Sequence, residues 1–165
     1  MTQTVDISQR HAVTAQPSTR PKAAAPKIAT DVARQVKDIR KKAARQQLDF
    51  IEARVEAMEL GGGNPKSRAR ELARLGRSIS STVREYKSLS PSKGDAKNFA
   101  KTAEAALNKV RNVAKWHKTS LARADLPVQD GATRHADLSL RIAARDIQGL
   151  EKSAAAGKFI LDVTI

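Results

Sequence analysis

Between two long runs of helical periodicity stands the pentapeptide Gly61-Gly62-Gly63-Asn64-Pro65. Three successive glycines carry a heavy helix penalty and permit a tight reversal, so a helix arriving from the N-terminal side ends here. Asn64 then offers a side-chain cap and Pro65 suits the first helical position, so a second helix begins at once. These five residues alone predict a helical hairpin.

Upstream of the hairpin turn, apolar residues recur at Val32, Val36, Ile39, Ala43, Leu48, Ile51, Val55 and Met58. The steps are three to five residues, mostly three or four, which predicts a helix near 31–60 capped by Thr30 or Asp31. Downstream, Leu72, Leu75, Ile79, Val83 and Tyr86 predict a helix over 65–89, closed by Ser90-Pro91-Ser92-Lys93-Gly94. Asp95 is placed to cap a third helix, 95–125, whose stripe Phe99, Ala103, Ala106, Val110, Val113 and His117 keeps an alternating four–three heptad step. Leu126-Pro127 and Asp130-Gly131 form the next loop. A fourth helix over 133–156 carries Ala136, Leu140, Ala143, Ile147, Leu150 and Ala154, with Gly157 as its closing residue.

The two ends read differently. Residues 1–27 contain Pro17, Pro21 and Pro26, few apolar groups and scattered positive charge, the composition of a disordered basic tail. In residues 158–165, Phe159, Leu161, Val163 and Ile165 alternate with Lys158, Ile160, Asp162 and Thr164, the period of a short β-strand. A lone strand leaves its backbone groups unmet, so it needs Val5–Ile7, a second copy or another protein beside it. The expected fold is thus all-α: antiparallel helical hairpins or a four-helix bundle over 28–157, with a basic tail before it and a docking strand after it.

Composition narrows the chemistry. Of the hydrophobic residues, 28 are alanine, so thin helix–helix seams are expected in place of one large core, and a second copy would add buried area. No cysteine is present, which removes disulfides, thiolate nucleophiles and Cys-ligated metals. No stretch approaches the roughly 20 apolar residues of a membrane span, and the first 27 residues hold no secretory apolar run. A cytoplasmic location is expected, with export lacking an N-terminal signal left open. His11, His117 and His135 have no pairing that suggests a metal site, and no cofactor is implied. Gly61–Ser67 superficially resembles a phosphate loop, but it lacks glycine before Lys66 and follows a helix where that motif needs a strand. No enzymatic activity is expected.

The net charge of +14 is unevenly distributed. Arg34, Lys37, Arg40, Lys41, Lys42 and Arg45 stand against Asp38 alone, whereas Asp49, Glu52, Glu56 and Glu59 follow against Arg54. Across the hairpin turn this acidic half should face Lys66, Arg68, Arg70, Arg74 and Arg77, so those cations are expected to be used inside the hairpin. The surplus lies at Arg34–Arg45 and on the third helix at Lys93, Lys97, Lys101, Lys109, Arg111, Lys115 and Lys118. Like charges four apart repel by a few tenths of a kcal/mol per pair, and a polyanion would relieve this while releasing counterions. Trp116 is expected at the edge of the third seam, covering a neighbouring helix.

Two functional readings follow. In the first, Arg34, Lys37, Arg40, Lys41, Lys42, Arg45, Lys97, Lys101, Arg111, Lys115 and Lys118 bind nucleic-acid backbone or another polyanion without strong sequence preference. There is no zinc-finger spacing, RNP-type aromatic pattern or short helix-turn-helix unit that would read bases. In the second, the chain is a structural or interaction protein, such as a secretion-system component, adaptor or chaperone-like bundle, docking partners or its own copies through helical faces and Phe159, Leu161, Val163 and Ile165. A salt-dependent titration separates the two.

Overall fold

A computed structural model describes residues 25–61, 64–128 and 130–157. They form four helices: α1 (Ala25–Leu60), α2 (Pro65–Ser88), α3 (Lys93–Arg123) and α4 (Gly131–Ala155). The all-α expectation holds. The expected strand at 158–165 and most of the expected tail, residues 1–24, lie outside the described residues.

The helix starts show where local chemistry prevailed. Asn64 caps α2 as expected, its side chain accepting from the Lys66 N–H at 2.9 Å with Pro65 in the first turn. α3 is capped by Ser92, not Asp95: the serine hydroxyl oxygen accepts from the Asp95 N–H at 3.1 Å, and Asp95 sits in the first turn. α4 starts at Gly131 because Asp130, whose carboxylate accepts from the Thr133 N–H at 2.7 Å, provides the cap. α1 begins at Ala25, earlier than the expected 31, so Thr30 and Asp31 lie inside it. Pro26 there occupies the first turn, where a missing N–H costs nothing. Gly157 follows α4 with φ +63, the left-handed conformation that ends many helices.

Polar contacts fix helix direction. Arg40 donates to Glu85 at 3.1 Å, Gln47 to Ser78 at 3.1 Å and Arg54 to Glu71 at 2.9 Å. Each step is seven residues forward on α1 and seven back on α2, so the hairpin is antiparallel in heptad register. Lys118 to Asp137 at 2.6 Å fastens α3 to α4. Lys41 to Asp95 and Lys109 to Glu52 run in the same sense on α1 and α3. The chain therefore goes up, down, up and down.

The bundle is not square. α2 and α4 make the most extensive contact, α2 and α3 touch each other, and α1 meets α2 and α3 without reaching α4. α1 and α4 thus flank a central α2–α3 pair. The core is continuous, running from Leu48, Ile51 and Val55 of α1 through Leu72, Ile79 and Val83 to Val110, Ile147 and Leu150. On α3 the buried face includes Ala96, Ala100, Ala103 and Ala106, the thin seam that composition implied. Near the α2–α3 turn the core's two largest fully buried side chains meet, the Tyr86 and Phe99 rings stacking in parallel with centroids 3.7 Å apart.

The tight α2–α4 contact depends on Gly76. A Cβ there would lie 3.0 Å from the Ser139 Cβ and carbonyl carbon, so the absent side chain is the space in which α4 packs. Gly149 faces the same helix pair, yet its added Cβ would meet only the Lys87 Nζ at 4.0 Å. Gly76→Ala should therefore destabilise the fold by about 1–2 kcal/mol despite better helix propensity, because overpacking outweighs it. Gly149→Ala should stabilise by about 0.5–1 kcal/mol. Urea unfolding of the two variants checks the opposite signs.

Candidate polyanion-binding surface

Whether a basic side chain is available for a ligand depends on where the carboxylates go. Glu52 and Glu56 of α1 do not meet α2. Both bind Lys109 of α3, at 2.6 and 3.4 Å, which raises the lysine pKa chiefly through the Glu52 hydrogen bond. Across the α1–α2 hairpin the ion pairs run the other way, with Arg40 and Arg54 of α1 held by Glu85 and Glu71 of α2. The expectation that the α2 cations would be used inside the hairpin therefore fails. Glu52 and Glu56 are turned toward α3, roughly 100° or more around the helix from the α2 side.

As a result Lys66, Arg70, Arg74 and Arg77 are exposed and make no ion pair among the described residues. Their steps of four, four and three place them on one face of α2, away from α3. Arg68 departs from this row. It donates to the Gly61 carbonyl, and its guanidinium lies 4.7 Å from the centroid of the Trp116 ring. Trp116 thus covers an α2 side chain at the edge of the α3 seam while remaining half exposed.

The expected candidates divide into three groups. Lys97, Lys101, Arg111 and Lys115 are exposed without an ion pair and follow one face of α3 at steps built from threes and fours, with Glu104 and Asn108 between them. Arg141 of α4 joins them by lining the shallow α3–α4 depression that Arg111, Lys115 and Lys118 also border. Arg40, Lys41 and Lys118 are already held by Glu85, Asp95 and Asp137. Arg34, Lys37, Lys42 and Arg45 are exposed on α1, the first two where the helix runs past the bundle. The row on α3 and the row on α2 point in opposite directions, since each turns away from the central α2–α3 contact.

The missed residues, Lys66, Arg70, Arg74, Arg77 and Arg141, were visible as charges in sequence. Their availability was not, because it depends on which helix α1 turns its carboxylates toward. Among the described residues no group of three or more His, Asp or Glu side chains gathers as a metal site, and no helix is long and apolar enough to cross a membrane. None of the family models, curated proteins or solved structures compared with this chain matches it.

His117 occupies the seam position its spacing implied. It is buried, and its Nε2 has no hydrogen-bond partner. Burial, reinforced by the nearby Arg68 charge and opposed by Asp130, lowers its pKa from the ordinary 6.5. The neutral ring is thus a packing element near pH 7. The unfolded chain binds a proton to this histidine more readily than the folded one, so stability falls as pH drops below 6.5 and levels off below the folded-state pKa. Urea midpoints should decline as pH falls through and below 6.5, and His117→Leu should flatten that decline.

Proposed function

We propose that this chain is a non-catalytic helical protein that binds nucleic-acid backbone, or a polyanion of similar charge density, without reading base sequence. The observation that carries this reading is the α3 row. Lys97, Lys101, Arg111 and Lys115 are free of ion pairs along one exposed face. The row spans about 27 Å at 1.5 Å per residue, the length of roughly eight phosphates along one duplex strand. Arg141 widens it across the α3–α4 groove, and the α2 row supplies a second basic face. Lysine and arginine side chains at this spacing suit phosphates and carry no base code. An interaction role draws support from a different feature, an apolar face of α1 that nothing in the bundle covers.

The reading is tested by titrating the full chain with duplex DNA at several salt concentrations. Lys97→Gln with Lys101→Gln should flatten the dependence of log K on log salt by up to two contacts, roughly 0.9 each. Arg70→Gln with Arg74→Gln should act likewise on the opposite face, and neither pair should change preference among sequences. Slopes unchanged in both variants would mean that the rows are only solvated.

A further inference from the structure

α1 carries two heptad seams, and the bundle uses one. Ala44, Leu48, Ile51 and Val55, with Met58, form the buried seam. The other consists of Val32, Val36, Ile39, Ala43, Gln46, Phe50, Ala53 and Ala57, whose steps alternate four and three without a break. Every one of these residues is exposed, Val32 by 52%, Ile39 by 64% and Phe50 by 63%. The two seams lie roughly 120° apart around the helix, so no rotation of α1 buries both in this bundle. An unbroken heptad stripe of this kind is the pattern of a helix that packs on another helix.

The charges beside the seam indicate the occupant. Glu52 and Glu56 are held by Lys109 and Arg40 and Arg54 by α2, so among the charges that flank this seam Lys42 and Asp49 are the ones exposed without an ion pair. A second α1 laid antiparallel brings Lys42 of each copy to Asp49 of the other, twice by symmetry. A parallel one offers Asp49 only Arg54, which Glu71 already holds, and leaves Lys42 beside Gln47. We infer that the exposed seam of α1 binds the same seam of a second copy, antiparallel, to form a two-fold symmetric dimer.

One register satisfies the whole seam. Val32 meets Ala57 of the second copy, Val36 meets Ala53, Ile39 meets Phe50, and Ala43 meets Gln46. Large residues then face small ones in the outer layers, with the bulkiest pair inside them. The flanking Lys42 falls beside the second copy's Asp49, and both are exposed here without an ion pair. The α1 overhang acquires a role in this arrangement. From Thr30 to Arg40 every residue is exposed, and the first buried one is Ala44. In this register residues 30–39 lie along residues 50–59 of the other copy, so the two bundles are offset along the α1 pair. The inference is independent of polyanion binding, and its test contains no nucleic acid.

The full chain should sediment at twice the 17.9 kDa of one chain. Ile39→Glu with Phe50→Glu, both at exposed positions, should leave the helical signal unchanged and raise the dimer dissociation constant by at least about tenfold. Lys42→Glu should weaken the dimer, and adding Asp49→Lys should restore it. Because the chain has no cysteine, an oxidised mixture of Ala43→Cys and Gln46→Cys chains reports direction. The antiparallel register gives the mixed 43–46 disulfide, whereas homodisulfides alone mean parallel pairing and overturn the inference. It is also overturned by a dimer indifferent to Ile39→Glu with Phe50→Glu. A monomer at about 100 µM overturns it as well, including one whose seam is covered by the chain's own residues 1–24 or 158–165.

Discussion

The approach of α2 to α4 at Gly76 is the constraint from which the rest of this architecture follows. Two helices come close only where their side chains leave room, and here the room is one missing Cβ against the backbone of Ser139. α4 packs on α2 and α3 from one side, and α1 lies on the other side of that pair, out of reach of α4. α1 settles in the groove between α2 and α3 and meets no other helix. Ser80 and Arg84 fasten the α2–α4 seam by donating to a single carboxylate, Asp146, which is mostly shielded from solvent.

The position of α1 decides the electrostatics of the whole surface. Its buried stripe points between two helices, leaving Glu52 and Glu56 on the α3 side and Arg40 and Arg54 on the α2 side. Each exposed pair contributes only about 0–1 kcal/mol, so these bridges set register more than they stabilise the fold. Their larger consequence is subtractive. Carboxylates engaged with Lys109, Lys41, Arg54 and Arg40 are unavailable to the outer rows of α2 and α3. A chain of net charge +14 thereby gathers unpaired cations on two opposite faces.

The buried polar groups show how little slack the thin core has. The Tyr86 hydroxyl and the His117 Nε2 are enclosed without partners, each at a cost accepted for the apolar area its ring contributes. In a core with so many alanines, the stacked Tyr86 and Phe99 supply much of the volume where α2 turns into α3. His117 does the same near the other end, and its proton affinity is lowered as a consequence.

Local chemistry was enough to determine the four helices, their order and their turns. Capping residues, glycine runs and prolines act within a few residues of where they stand, as Asn64-Pro65 and Gly157 show. Periodicity also foretold the buried Leu48, Ile51, Val55 and His117. It misled where one stripe was in fact two. The single step of five from Ala43 to Leu48 rotates the pattern by about 140°, and it marked the change from the exposed seam to the buried one. Which seam would be buried depended on the groove between α2 and α3, which only the packed bundle supplies. The same holds for charge. Sequence supplied every lysine and arginine, but only the packing of α1 decided which of them Glu52, Glu56, Glu71 and Glu85 would hold, because ion pairing acts over a few ångströms between helices distant in sequence.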